Sequence, residues 1–279
     1  MLSVYLVVAA AAIPVIDRFH PFLHTASAVW LVPLLFIGIF VALTAIHLVF
    51  FALCGYCVNL SKPVTGRSRF YRGLVNLTLP SLFKIVRVKV ISTGTEKTEG
   101  VFPAMIVCNH LHAIDPAIIL KELPDLSPGF IGKKEIYTEM PFVARYMHKL
   151  NCLPIDRENN REAAKTILRA VDLIKSKTAS VGVFPEGYTS LDGELHEFRN
   201  GAFKIALRAH CPVIVCTVTG TNTAVKTLFR KKNTIYFDVL KVIPADEVST
   251  MNTTELAELI HKEMEQNLAK RSKTECSEK

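Results

Sequence analysis

The feature that most constrains this chain is an uncharged run that extends from residue 19 to residue 61. Within this run, residues 28–60 exceed the roughly 20 apolar residues that a helix needs to cross a bilayer. Residues 2–16 are also uncharged but are short for a crossing. The sequence leaves two arrangements open: a pair of transmembrane helices, or a helical hairpin within one leaflet. Residues 1–60 are therefore predicted to form a two-helix membrane segment.

The next stretch is basic. Seven Lys or Arg residues and no Asp or Glu lie within residues 62–89, and the whole chain carries a formal net charge of +8. The positive-inside rule assigns this stretch to the cytoplasmic face of a membrane. Because aromatic and leucine residues alternate with the charges, residues 61–84 are predicted to lie on an anionic leaflet as a basic amphipathic segment. For the second half of this segment, a solvated helix with a core-facing stripe fits equally well.

From residue 85 onwards, short runs rich in Val and Ile alternate with helical patterns, which is typical of an α/β fold. We predict a central, mostly parallel sheet covered by helices over residues 85–271, and a flexible tail at 272–279. The seven cysteines show neither disulfide spacing nor metal-ligand spacing, which favours a reducing compartment. The predicted strands are 85–91, 104–108, 129–132, 152–155, 180–184, 213–218 and 234–242. The predicted helices are 116–123, 142–149, 160–175, 201–210 and 253–271.

A histidine and a carboxylate lie five positions apart after the second predicted strand, at His110 and Asp115, with Asn109 just before them. Asp115-Pro116 is typical of a helix start, with Asp115 as the N-cap. If the intervening turn folds His110 back over Asp115, the carboxylate holds one ring nitrogen and the other is free to accept a proton. The alternative is that Asp115 is only a cap and His110 only a turn residue.

Three further groups of polar residues are present. The first is a Phe-Pro-Glu-Gly turn that contains Glu186 and Gly187, together with a later Phe-Arg-Asn-Gly-Ala stretch in which Arg199 precedes a helix. The second is Gly-Lys-Lys-Glu, with Lys133 and Lys134, and the third is Pro-Ile-Asp-Arg, which ends at Arg157.

Together these groups resemble the glycerolipid acyltransferase family of 1-acylglycerol-3-phosphate acyltransferases. The resemblance covers about residues 85–245 and includes the order and spacing of the motifs as well as their content. It implies acyl transfer from acyl-CoA or acyl carrier protein to a glycerolipid hydroxyl. In this interpretation His110 is the general base and Asp115 orients it. Asn109, Lys133, Lys134, Arg157, Glu186, Gly187 and Arg199 are the substrate-binding residues that it implies. We expect no bound cofactor, no metal site and no nucleic-acid partner.

The chain departs from the family pattern after Glu186-Gly187. The family continues with Thr-Arg-Ser, whereas this chain has Tyr188-Thr189-Ser190. An arginine suited to bidentate phosphate recognition is thus missing. A different lysolipid acceptor therefore remains an alternative to 1-acylglycerol 3-phosphate. A catalytically silent protein that binds anionic lipid is the alternative from another functional class.

Overall fold

The computed structural model describes residues 1–21, 23, 28–62, 64, 66–190, 192–227 and 230–277. The chain divides into two compact units, Met1–Asn59 and Leu60–Lys279. The basic stretch predicted to be interfacial therefore belongs to the second unit.

The first unit consists of α1 (Leu2–Phe19) and α2 (Ala28–Tyr56), which pack against each other. Ala9 of α1 is fully buried, and the ring of Tyr5 lies 6.4 Å from that of His47 in α2. Both helices are long and apolar enough to cross a membrane, over Leu2–Phe19 and Trp30–Tyr56. The predicted pair of apolar helices is confirmed, and the choice between hairpin and full spans stays a prediction.

The second unit contains a seven-stranded sheet in the order β1-β7-β6-β2-β5-β3-β4. All neighbouring strands are parallel except β6 and β7, which confirms the predicted mostly parallel sheet. The strands are β1 (Val88–Thr93), β2 (Met105–Cys108), β3 (Pro128–Lys133), β4 (Leu153–Ile155), β5 (Ser180–Val183), β6 (Val213–Thr219) and β7 (Asn233–Ile243).

Helices cover this sheet. They are α3 (Arg69–Ile85), α4 (Asp115–Glu122), α5 (Ile136–Glu139), α6 (Pro141–Lys149), α7 (Asn160–Lys175), α8 (Lys204–Ala209), α9 (Thr221–Ala224), α10 (Ala245–Ser249) and α11 (Thr253–Ser277). Three predicted boundaries were wrong. The strand predicted at 85–91 starts only at Val88, because α3 continues to Ile85. The helix predicted at 201–210 is a 3-10 turn, Asn200–Phe203, followed by α8. The helix predicted at 253–271 continues to Ser277, so most of the tail predicted at 272–279 is helical.

Side-chain alternation along the strands gives the sheet two buried faces. On one face, Met105 and Val107 of β2 join a core with Val181 and Val183 of β5, and α7, α8 and α11 cover it. The intervening residue Ile106 is also fully buried, and so points to the other face. α3 contacts both α4 and α6, and these helices form the second layer.

Arg72 corrects the prediction for the basic segment. It had been counted among the residues facing a leaflet, but it is only 6% exposed. Its guanidinium donates to the carbonyl of Pro128 at 2.9 Å, to that of Leu150 at 2.9 Å and to Oδ1 of Asn151 at 3.0 Å. Burial lowers the pKa of Arg72 to about 10. This arginine thus ties α3 to the chain that leads into β3 and β4.

Replacing Arg72 by Met is expected to lower the free energy of unfolding by about 2 kcal/mol or more, because three buried acceptors lose a charged donor. Thermal unfolding in detergent measures this loss. Arg69→Met is the matched control, since Arg69 lies one turn earlier on the same helix and is exposed. Equal melting temperatures for the two variants would contradict the structural role of Arg72.

Candidate active site

The predicted motifs meet at one edge of the sheet. The carboxyl ends of β2, β3, β4, β5 and β6 lie at this edge because these strands are parallel. His110 follows β2, Lys134 follows β3, Arg157 follows β4 and Phe184 follows β5. Open α/β sheets place their ligand sites at such an edge.

His110 and Asp115 are in direct contact. Nδ1 of His110 lies 2.9 Å from Oδ2 of Asp115, and Asp115 is fully buried. The same oxygen accepts the backbone N–H groups of Leu111 at 2.7 Å and His112 at 2.8 Å. Asp115 is therefore not the N-cap of α4, contrary to the prediction. It closes the turn that precedes α4, and this turn folds His110 back over it.

The pairing defines what the imidazole can do. The carboxylate of Asp115 accepts a hydrogen bond from Nδ1, so this nitrogen carries the proton. Nε2 of the neutral ring therefore keeps a free lone pair. The side chain is 18% exposed, so the ring can be reached from outside. Its ring stacks on Phe184 with a centroid distance of 4.2 Å and an interplanar angle of 23°. The ring is thus held at one edge and on one face, in the arrangement of an oriented general base.

Glu186 holds the backbone of this turn. Its Oε1 accepts the N–H of His110 at 3.0 Å, and its Oε2 accepts the N–H of His196 at 3.1 Å. On the other side, the N–H of Ser190 donates to the His110 carbonyl at 2.7 Å. Glu186 is 1% exposed. Both of its oxygens are therefore engaged by backbone amides, and the structure does not support the predicted substrate contact of this side chain.

Asn109 also serves the scaffold. Its Nδ2 donates to the carbonyl of Val218 at 3.0 Å, and its Oδ1 accepts the N–H of the same residue at 2.8 Å. Both ends of the amide are thus used to join β2 to β6, although Asn109 had been predicted to bind substrate. His112 is turned into its own loop, where its Nδ1 accepts the Ile114 N–H at 3.3 Å.

A cavity of about 410 Å³ lies at this edge, and Phe184 is one of its lining residues. Arg157, Gly187 and Arg199 line it, and so do Lys204 and Arg208. Its floor is apolar, built from Ile131, Ile155, Ala163, Ala164, Ile167 and Val183. Arg208 was not assigned to the site from the sequence, although its spacing of four residues from Lys204 on α8 could have revealed it.

Lys133 and Lys134 do not line this cavity. Both are exposed, and Nζ of Lys134 lies 2.7 Å from Oδ2 of Asp156. Hydrogen bonding to Asp156 raises the pKa of Lys134, and the same bond lowers the pKa of Asp156. Lys134 therefore has a carboxylate partner of its own, and its role in substrate binding stays a prediction.

Arg157 and Arg199 stand close together at the cavity. Burial lowers the pKa of Arg157, and the charge of Arg199 lowers it further. Arg199 lies against Gly187, where a Cβ atom would be 2.7 Å from its Nε. Within the described part of the chain, neither guanidinium has a carboxylate within salt-bridge distance. Two neighbouring cations without such a partner form a site that fits an anion.

Comparison with known proteins shows what part of the chain resembles. The family model described as Acyltransferase matches residues 89–219. This segment of the chain is therefore similar to the acyltransferase family. A probable 1-acyl-sn-glycerol-3-phosphate acyltransferase of Mycoplasma pneumoniae is 33% identical over 51% of this chain and 54% of its own length. The 1-acyl-sn-glycerol-3-phosphate acyltransferase of Borreliella burgdorferi is 25% identical over 65% of this chain and 72% of its own. The match thus spans about half the length of the mycoplasma relative.

A solved structure shares the fold. The crystal structure of the 1-acyl-sn-glycerophosphate (LPA) acyltransferase PlsC from Thermotoga maritima superposes with a TM-score of 0.61. The match covers 80% of this chain and 87% of that protein at 18% sequence identity. The predicted fold class is therefore confirmed.

Burial raises the pKa of Glu186 above its ordinary value of 4.5, although the amides of His110 and His196 act in the opposite direction. A carboxyl whose pKa is higher in the folded protein than in the unfolded chain contributes stability at low pH, and this contribution is lost as the pH rises through the folded-state pKa. We expect wild type to lose stability relative to Glu186→Gln between pH 4.5 and neutral pH. Denaturant unfolding at several pH values measures the difference, and a constant difference would contradict the assignment.

Proposed function

We propose that this protein moves a fatty acyl group from acyl-CoA or acyl carrier protein to the free hydroxyl of 1-acylglycerol 3-phosphate, giving phosphatidic acid. The observation that carries the proposal is the contact between His110 and Asp115, which leaves Nε2 free on a ring that is 18% exposed and that stacks on Phe184, a lining residue of the cavity. The curated relatives named 1-acyl-sn-glycerol-3-phosphate acyltransferase support the acceptor.

In the proposed mechanism, Nε2 of His110 takes the hydroxyl proton as the oxygen attacks the thioester carbonyl carbon. The resulting imidazolium is stabilised by Asp115 and by the face of Phe184. The tetrahedral intermediate then expels the thiolate, which receives the proton back from Nε2. A positioned base of this kind contributes roughly 10²–10⁴-fold in rate. All proton transfers use this single imidazole, so no bound cofactor is required.

The proposed phosphate site is the pair Arg157 and Arg199. Both line the cavity next to the Glu186-Gly187 turn, and a phosphate supplies the negative charge that the pair lacks. Such a site explains how the chain can bind a phosphomonoester although Thr189 stands where the family has arginine. The seven cations of residues 62–89 favour a cytoplasmic location for the second unit.

His110→Ala is expected to reduce acyl transfer by about 10²–10⁴-fold, because the proton acceptor is lost. Release of free thiol from acyl-CoA in the presence of 1-acylglycerol 3-phosphate measures the rate. His112→Ala is the matched control, since the His112 ring binds within its own loop. Undiminished turnover in His110→Ala would discard the mechanism. Thiol release that depends strictly on an acceptor would exclude the alternative that the protein only binds lipid and has no catalytic activity.

Arg199→Met is expected to raise KM for 1-acylglycerol 3-phosphate about tenfold or more, because one charged contact to the phosphate is lost. KM for the acyl donor should change little. Arg169→Met is the control, since Arg169 is exposed on α7 and does not line the cavity.

A panel of lysolipid acceptors tests the alternative suggested by Thr189. Faster turnover with a lysolipid that lacks a phosphomonoester, unaffected by Arg199→Met, would favour that alternative.

A further inference from the structure

An exposed apolar surface lies on the second unit, away from the cavity. It is formed by the start of α3 and the start of α6. Phe70 is 55% exposed, Met140 51%, Val143 38% and Phe142 37%. Large apolar side chains this exposed in a group, rather than singly, mark an interaction surface.

The two helices present this surface as one piece. The ring of Phe70 lies 5.2 Å from that of Tyr71, and Tyr71 lies 5.9 Å from Tyr146 of α6. Tyr146 in turn lies 5.5 Å from Phe142. The row thus runs without a break from α3 to α6, with the buried Tyr146 fixing its centre. Because its middle is held in the fold, the exposed ends are presented in a fixed arrangement.

The surroundings of the aromatic row are basic. Arg67 and Arg69 are exposed at the start of α3, and Nζ of Lys149 lies 5.7 Å from the centre of the Tyr71 ring. The sequence has no Asp or Glu in residues 61–95 or in residues 140–155. Arg72 does not contribute, because its charge is used inside the fold. One exposed acid, Glu139, stands next to Met140, so that Arg67, Arg69 and Lys149 outnumber the acids at this surface.

Aromatic rings flanked by Lys and Arg are the composition of segments that lie in the interface of an anionic bilayer. An acidic protein partner would match the charge, but the chain itself favours a membrane. Only residues 57–68 separate α3 from α2, which is a candidate membrane span. A connection of twelve residues spans at most about 40 Å, so the start of α3 can reach a membrane surface when α2 is inserted.

We propose that the aromatic row of α3 and α6, from Phe70 to Phe142, docks into the headgroup region of an anionic bilayer. Phe70 and Phe142 enter the boundary between headgroups and acyl chains, and Arg69 and Lys149 bind lipid phosphates. α6 connects β3 to β4, so docking of α6 fixes the carboxyl edge of these strands relative to the membrane. This inference does not rest on the proposed acyl transfer.

Depth-dependent quenching in the full-length protein tests the docking. The chain has a single tryptophan, Trp30. In a Trp30→Phe background, Phe70→Trp and Phe142→Trp each report on one end of the row, in vesicles of phosphatidylglycerol and chain-brominated phosphatidylcholine. Leu168→Trp is the control, because Leu168 is 47% exposed on α7, in the layer of helices on the other face of the sheet.

We expect bromination to reduce the fluorescence of the Phe70→Trp and Phe142→Trp proteins at least about twofold, since docked side chains reach roughly 5–10 Å into the interface. The signal from position 168 should not change. Absence of quenching at both 70 and 142, as when water or protein covers the row, would overturn the proposal. Equal quenching at all three positions would also overturn it.

The charge requirement has its own test. Arg69→Glu combined with Lys149→Glu should remove most of the quenching at position 142, because each cation contributes about 1 kcal/mol near an anionic surface. Arg169→Glu combined with Lys175→Glu makes the same charge change on the exposed face of α7 and should leave the quenching unchanged. Equal quenching in the two double variants would show that the cations do not select the membrane.

Discussion

One oxygen atom, Oδ2 of Asp115, organises the site. It accepts two backbone N–H groups that close a turn and one imidazole N–H that orients a ring. A buried carboxylate without donors is strongly unfavourable. The turn and the ring orientation therefore form together, and a distorted turn would leave the carboxylate without its donors. The spacing of five residues between His110 and Asp115 is set by this local geometry rather than by a helix face.

Neighbouring strands hold this turn from outside. Asn109 binds the backbone of β6, Glu186 binds the amide of His110, and Ser190 binds its carbonyl. These contacts come from chain segments that leave adjacent parallel strands at the same edge. Rigid strand ends thus determine where the imidazole lies, as the supporting contacts of a precise site must. The Phe-Pro-Glu-Gly turn is for this reason mainly a support for the imidazole, with its glycine lining the cavity.

The sequence was sufficient to predict the sheet, the edge at which the motifs meet, and the pairing of His110 with Asp115. Each depends on local periodicity, on strand direction or on a short spacing. That the side chains of Glu186, Asn109 and Arg72 point into the fold could not be predicted in this way. Each of these polar side chains makes at least one hydrogen bond to a backbone group 56 or more residues away, and residue type alone suggests exposure. The partner of Lys134 could not be predicted either, because Asp156 directly follows β4, which pairs with β3.

Gly187 connects two parts of the molecule that are otherwise described separately. Its φ of +83° turns the chain just after Glu186, and its bare Cα allows Arg199 to lie against it. A methyl group here would strain the backbone that supports the imidazole and, in the same movement, displace a guanidinium from the cavity. The position of the Arg199 guanidinium and the orientation of the His110 ring are therefore mechanically linked through one backbone atom. Neither can be re-engineered at this position without altering the other.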